Sequence, residues 1–455
     1  MSGEEDIREA LDGAEDVQPP RGPRSGAATV DGECARYLRN DFGNGQRLIA
    51  RYGEKLIFVG GLRDGGWYVW DRRRWRGGKD GEFMTVEFSH KTARAIWEEI
   101  RIRETADEKL EEVWVKAHSK HAVQSGDNAK IYGMMRAAST YCRRDVDELD
   151  ARPFLVNVDN GTIRLGGNNL GQSPDISLGA FEPDDMITKA APVRYDSDAT
   201  CPVFREFLNS ILPDEEVQAF IQRWFGYSIT GDTKEQCIAI MQGQGSNGKS
   251  TLLNIFESIL GDYVVRIPFG SLVHDNVKRG GDATPDLVRL PGARLVFTVE
   301  PETGARFSES MIKQMTGGEK MTVRGLNRDF FDFIPQFKIT LAVNPRPQIR
   351  GQDEGIWRRI RMIRFENRVD SDDVAPMIAA LQNQKERSGI LNWLLEGYRA
   401  WISEGLTPPE AVRAATDEYR DENDPIAEFL DIYCVRGEGF FVPFKELFEA
   451  YEAWA

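Results

Sequence analysis

Residues 237–251 read CIAIMQGQGSNGKST, and this stretch decides the fold. The apolar run at 237–241 is short enough to be one buried strand. Beyond the glycines, Leu252, Ile255, Phe256 and Ile259 recur at helical spacing. The order is therefore strand, glycine-rich turn, helix, with the spacing GxxxxGK[ST] filled by Gly243, Gly248, Lys249 and Ser250. Such a turn exists to hold phosphate: its backbone N–H groups and the helix N-terminus converge on the anion. Gly243, Gly245, Asn247, Gly248, Lys249, Ser250 and Thr251 are the cradle residues. Lys249 is placed to neutralise terminal phosphate charge, and Ser250 to give its hydroxyl to Mg²⁺, with ATP as the expected nucleotide.

A core that hydrolyses a nucleotide also needs an acid for metal and water, a polar residue near the terminal phosphate and an arginine. The chain offers them in order. The apolar run 295–299 ends in Glu300, with Glu302 two residues on; Glu300 would be the second metal contact and either acid could polarise water. A carboxylate at the C-terminal end of a parallel strand faces the crevice where such sheets bind ligands. The run 339–343 ends in Asn344-Pro345, and the motif GIWRRIRMIRFE puts Arg358 and Arg359 ahead of another apolar strand.

The 455 residues suffice for about three compact units. Asp and Glu number 73 against 58 Lys and Arg, a net of −15, which is the wrong sign for a protein that coats nucleic acid with its whole surface but permits a basic channel. Five cysteines, at 34, 142, 201, 237 and 434, show no metal-ligand spacing and no disulfide framework. No run reaches the roughly 18 apolar residues of a membrane span, and the acidic N-terminus has no apolar signal core, so a cytoplasmic location is expected, in a bacterial host cell.

Four regions are expected. Residues 1–34, acidic and then rich in Pro, Arg and Gly, read as a disordered tail. Residues 35–197 read as an α/β domain with strands in LIFVGG and WYVWDRRRW, a helical stretch over 92–121, and a turn at Asp159-Asn160-Gly161 inside FLVNVDNGTIRL. In WYVWDRRRW the alternation of Trp67, Val69 and Trp75 is that of a hairpin filling a core. Residues 198–366 hold a leading helical segment at 202–229 and the nucleotide core. Residues 367–455 are mainly helical, with segments at 390–402 and 410–435, and end in FVPFKELFEAYEAWA, which reads as a truncated start of a winged-helix domain.

Taken together, GQGSNGKST, DATPDLVRLPGARLVFTVEPETG, IKQMTGGEKMTVRGLNRDFFDFIPQFKITLAVNPRPQI and DEGIWRRIRMIRF resemble the superfamily 3 helicases, a branch of the AAA+ ATPases. The closer likeness is to the phage and plasmid primase-helicase family, to which the poxvirus primase-helicase is related. Upstream, NDFGNGQRLIARYGEKLIFV, WYVWDRRRW and FLVNVDNGTIRL are similar to that family's N-terminal helicase-associated domain, so the resemblance runs from about residue 40 to 366.

The resemblance implies an α/β fold: a P-loop core with a central parallel sheet, preceded by an α/β helicase-associated domain and followed by a helical region. It implies Glu300 as the Walker B acid, with Pro301 separating it from the second candidate Glu302. It implies Asn344 as sensor 1 and Arg359, or its neighbour Arg358, as an arginine finger given to the next subunit. It further implies an ATP hydrolase that forms hexamers and moves 3′ to 5′ on single-stranded DNA to replicate a phage, prophage or plasmid.

In the family a hairpin between the Glu and Asn strands grips DNA. Here KMTVRGLNRDFF supplies Lys320, Arg324, Asn327 and Arg328, with Phe330 and Phe331 expected in the core. The two suggestive fragments, Asp145-Val146-Asp147 and Ser119-Lys120-His121, stand in the wrong order for a primase, so no primer synthesis is expected and a separate primase is a possible partner. An origin-melting module, or a P-loop ATPase turned to defence, are the other classes open to the same motifs.

Overall fold

The structure is a computed structural model that describes residues 29–60, 66–102, 108–166, 174–272, 284, 286–299, 306–325, 330–349, 351 and 353–454. The chain forms two compact units, residues 1–71 with 75–148, and residues 72–74 with 149–455.

In the first unit β1 (Leu56–Val59), β2 (Trp67–Trp70) and β3 (Trp75–Arg76) form an antiparallel set, and β4 (Arg143–Arg144) joins β1 in parallel. Trp67, Val69 and Trp75 are all buried, as the alternation in WYVWDRRRW requires. Around this sheet stand α1 (Val30–Cys34), α2 (Asp41–Tyr52), α3 (Gly78–Ile102), α4 (Glu108–Gln124) and α5 (Asn128–Ala138). The helical stretch expected over 92–121 is carried by α3 and α4, and residues 103–107 lie outside the described ones. Leu48, Ile131, Met134 and Ala138 pack with Trp67 and Val69 to make the core. Beside it a buried polar network joins Arg47 to Glu99 at 3.0 Å, Glu99 to His118 Nε2 at 2.9 Å, and His121 Nε2 to Asn44 Oδ1 at 2.9 Å.

The second unit opens with an antiparallel meander, β5 (Leu155–Val158), β6 (Gly161–Leu165) and β7 (Ile176–Gly179). Val158 pairs with Gly161, which leaves Asp159-Asn160 as a two-residue turn. The leading helical segment is two helices, α6 (Pro202–Ile211) and α7 (Glu215–Ser228). Pro213 cannot donate within a helix, and Asp214 caps α7 by accepting from the N–H groups of Glu216 and Val217.

The central sheet has five parallel strands in the order β14-β8-β13-β10-β9: β8 (Ile238–Gln242), β9 (Val264–Arg266), β10 (Leu295–Val299), β13 (Lys338–Val343) and β14 (Ile360–Arg364). Its strands are mainly apolar because both faces are covered, with charged residues confined to strand ends and to edge strand β14. Ala239, Met241, Phe297 and Ile363 enter one core with α6, α7, α8 (Lys249–Leu260) and α12 (Gln384–Glu404). Val156, Val158, Ile163 and Leu165 of the meander join that same core. Ile238, Ile240, Leu341 and Met362 enter the other core, with α9 (Glu309–Thr316), α10 (Glu354–Trp357) and the hairpin β11 (Met321–Arg324) and β12 (Phe330–Phe333). Trp224 of α7 donates to Thr340 Oγ1 of the central strand at 2.9 Å, satisfying both buried groups.

The C-terminal region is helical: α11 (Ser371–Ala380), α12, α13 (Glu410–Glu422), α14 (Pro425–Tyr433) and α15 (Phe444–Trp454). The segment expected as one helix over 410–435 is broken because Asp424 caps α14, accepting from the N–H groups of Ile426 and Ala427, and Pro425 starts it. No helix of the described residues is long and apolar enough to cross a membrane. The expected fold class is thus the one observed: an α/β N-terminal region, a five-stranded parallel P-loop core and a helical C-terminal region.

Candidate nucleotide site and basic hairpin

The phosphate loop leaves β8 at Gly243 and enters α8 at Lys249. Three of its residues adopt positive φ: Gly245 at 95°, Ser246 at 50° and Gly248 at 75°. That curvature turns successive N–H groups toward one point ahead of the helix. Gly243 cannot carry a side chain, since a Cβ there would lie 2.5 Å from the Phe365 carbonyl oxygen and 2.9 Å from Lys249 Nζ. The Gly243 N–H donates to the Val343 carbonyl at 3.2 Å, and the Asn247 amide donates to the Asn367 carbonyl at 3.0 Å, so the loop is held from both sides.

Lys249 is buried, and its ammonium donates to Asn247 Oδ1 at 3.4 Å and to Asn344 Oδ1 at 3.2 Å. The second bond joins residues 95 positions apart, brought together because Val343 pairs with Gln242 in the sheet. Ser250 is exposed on the first turn of α8, and Thr251 is half-buried. A cradle that a Cβ would fill, with a buried ammonium behind it and an exposed hydroxyl beside it, suits a nucleotide's phosphates with a cation. Bound there, Mg²⁺ would be held by the Ser250 hydroxyl and would offset phosphate charge.

Val299 pairs with Ala342, so β10 ends level with β13 and β8 at the edge from which Asn344 and the loop emerge. Glu300 and Glu302, which follow β10 in sequence, lie outside the described residues.

Arg358 and Arg359 are at the other end of the sheet, where Ile360 pairs with Ile238 at the start of β8. Five residues at about 3.3 Å each separate that edge from the loop, roughly 17 Å. The chain therefore does not bring its arginines to its own loop. The two arginines also differ from each other. Arg359 is turned inward, donating from Nε to Thr316 Oγ1 at 3.1 Å and from a terminal nitrogen to the Gly355 carbonyl. Burial, and then the charge of Arg358, hold its guanidinium below the ordinary value. Arg358 is exposed.

The hairpin expected between the Glu and Asn strands is present, with Arg324 opposite Phe330 and Val323 opposite Phe331. It is tied down beside its turn, where Thr284 exchanges two hydrogen bonds with Arg324, the last residue of β11, at 2.8 and 3.1 Å. Lys320 is exposed, and the Arg324 guanidinium lies 5.1 Å from the Phe330 ring centre. The expectation that both phenylalanines enter the core holds only for Phe331, which packs against the second core; Phe330 remains 52% exposed. Period-two geometry explains the split, since Phe331 and Phe333 share the inward face. Asn327 and Arg328 lie outside the described residues.

Sequence reasoning missed a basic group on α13. Arg413 and Arg420 line one concavity with Arg358 and Arg361. Their signal was available as the helical spacing of Arg413, Asp417 and Arg420.

Residues 45–213 match the family described as D5 N terminal like. The chain is 25% identical over 424 residues to "Putative helicase L207/L206" of Acanthamoeba polyphaga mimivirus, an alignment that covers 86% of this chain and 42% of that protein. It is 30% identical over 234 residues to "Putative helicase 184R" of Invertebrate iridescent virus 6, covering 49% of this chain and 23% of that one. With "Putative primase C962R" of African swine fever virus it shares 22% over 355 residues, 71% of this chain and 35% of the relative. Among solved structures, the apo C terminal region of NrS-1 superposes with a TM-score of 0.39 at 12% identity, over 67% of this chain and 70% of that one. The chain spans less than half the length of each of these viral relatives. Through its D5 N terminal like region and these alignments, the chain is a distant homologue of these viral proteins.

Proposed function

We propose that this chain is the ATP-hydrolysing motor of a ring-forming DNA helicase, hexameric and moving 3′ to 5′, that replicates a phage, prophage, plasmid or viral genome. The observation that carries the reading is the Lys249–Asn344 contact at 3.2 Å, which sets a cation and an amide side by side at the mouth of a glycine-rich phosphate cradle. A terminal phosphate entering that cradle would replace Asn344 as the ammonium's partner and leave the amide free to orient water. Ser250 would hold the Mg²⁺, with Glu300 as the carboxylate on the metal side and Glu302 as the second acid.

An arginine that acts on a neighbour's nucleotide has to project from its own subunit. That requirement favours exposed Arg358 as the finger and gives buried Arg359 the work of fixing α10 against α9. Lys320 and Arg324, with Asn327 and Arg328, would meet phosphates of the threaded strand, and Phe330 would stack on a base. An acidic outer surface with this basic hairpin facing a channel reconciles the net charge of −15 with DNA binding. The reading assigns no primer synthesis to the chain.

The test is unwinding of duplexes with a single 3′ or 5′ tail by wild type and by Lys249→Ala. Displacement from the 3′-tailed duplex alone, absent in the variant, supports the reading. ATP turnover without displacement from either duplex would favour an origin-melting module.

A further inference from the structure

At the edge of the sheet away from the phosphate loop lies a concave site of about 310 Å³, lined among others by Arg358, Arg361, Arg413, Arg420, Glu354 and Asp417. Four guanidinium groups face two carboxylates there, in a chain whose net charge is −15. Two of the four are already engaged. Arg413 is bonded twice to Glu410, at 2.7 and 3.1 Å, and Arg361 donates to the carbonyls of Arg358 and Ile360 at 2.8 and 2.9 Å. Among the described residues, Arg358 and Arg420 have no side-chain hydrogen bond or ion pair.

Arg420 is not on a loose element. Its helix α13 lies along edge strand β14: Thr416 Oγ1 accepts from the Met362 N–H at 3.0 Å, Tyr419 donates to the Pro347 carbonyl, and its ring meets Trp357 edge-on at 5.4 Å. Ion pairs from Glu418 to Arg364 and from Glu422 to Arg346 fasten the same helix on its other side. Arg420 is thus fixed half-buried beside Arg358. Four guanidinium groups against two carboxylates leave the concavity with an excess of positive charge, which an anion with several acceptor oxygens entering between Arg358 and Arg420 would offset. A terminal phosphate group has that charge and geometry.

We propose that Arg420 is a second cation which this chain presents, together with Arg358, to the nucleotide phosphates of a neighbouring copy. The inference rests on the helicase reading above and extends the interface to the helical region beyond the sheet. The chain's own nucleotide cannot be the ligand, because the length of β8 separates its loop from this site.

The test is complementation between full-length variants. Lys249→Ala has a dead site of its own and intact arginines; Arg420→Ala has the reverse. Each alone is expected to lose tenfold or more in ATP turnover, the lower end of what an interface arginine contributes being about 10³. In an equal mixture about one interface in four joins a working loop to an intact Arg420, so turnover should recover to about a quarter of wild type. Arg420→Lys, which keeps the charge and loses the fork, should fall between wild type and Arg420→Ala.

The same mixing with Arg358→Ala separates the two levels of inference. Recovery with Arg358→Ala and none with Arg420→Ala overturns the role of Arg420 and leaves the helicase reading intact. Recovery with neither overturns action on the neighbour altogether. A lowered melting temperature of Arg420→Ala without complementation shows a merely structural arginine and also overturns the proposal.

Discussion

Replacing Gly248 by alanine asks two separable things of the phosphate loop. The residue sits at φ 75°, where an L side chain costs about 1–2 kcal/mol. Its new Cβ would also lie 2.4 Å from Ile211 Cγ2 and 3.4 Å from the Phe207 ring. Both neighbours are buried, so the contact is relieved only by displacing packed side chains, at about 1–3 kcal/mol. The expected total is about 2–5 kcal/mol, appearing as lost stability, or as weaker nucleotide binding if the loop moves instead. Gly245 is the internal control: its φ is 95°, yet nothing lies within 4 Å of a Cβ there, so Gly245→Ala should cost only the backbone part. Urea denaturation with a fluorescent ATP analogue titration reads both quantities. Ile211→Ala removes the obstructing methyl, and in that background the cost of Gly248→Ala should shrink by at least about 1 kcal/mol. The reasoning is refuted if Gly248→Ala costs no more than Gly245→Ala, or if its cost is unchanged when Ile211 is truncated.

Phe330→Ala should weaken single-stranded DNA binding by about 1–3 kcal/mol and leave stability unchanged, while Phe333→Ala, buried on the opposite face of the hairpin, should cost about 3–5 kcal/mol of stability; filter binding and urea melts separate the two. Arg359→Ala should lower the melting temperature, because it strands Thr316 and the Gly355 carbonyl, whereas Arg358→Ala should melt as wild type and lose turnover; equal melting of the two would contradict the assignment. Burial first, and then the Arg47 charge, push the His121 pKa down to about 4. The unfolded value is about 6.5, so the stabilisation is complete above that pH and is lost as pH falls from 6.5 toward 4, amounting to about 2 kcal/mol at pH 5. His121→Gln should flatten that slope, and an unchanged slope would remove His121 as its cause.

How much of this could be read from the sequence depended on whether local spacing or distant packing decides each feature. The phosphate loop, the Asp159-Asn160 turn and the burial of Trp67 and Val69 follow from short-range patterns, and the structure has all three. The choice between Arg358 and Arg359 depends on Thr316, contributed by a helix that ends 42 residues before Arg358 in the chain, and adjacent identical residues carry no signal about it. Phe330 and Phe331 differ only through the pairing register of β11 with β12, which the residue types leave open. The breaks before α7 and α14 were readable in principle, since Pro213-Asp214 and Asp424-Pro425 are cap signals inside otherwise helical patterns. The basic face of α13 has ordinary spacing for a solvated helix, and only the packing of that helix on β14 places Arg420 beside Arg358.

The most direct test of the central claim is steady-state ATP hydrolysis with and without single-stranded DNA, at low salt and at a subunit concentration high enough for rings, for wild type and Lys249→Ala. Turnover stimulated severalfold by DNA in wild type and absent in the variant is the predicted result. Turnover in wild type that ignores DNA, or turnover that survives in Lys249→Ala, would contradict it.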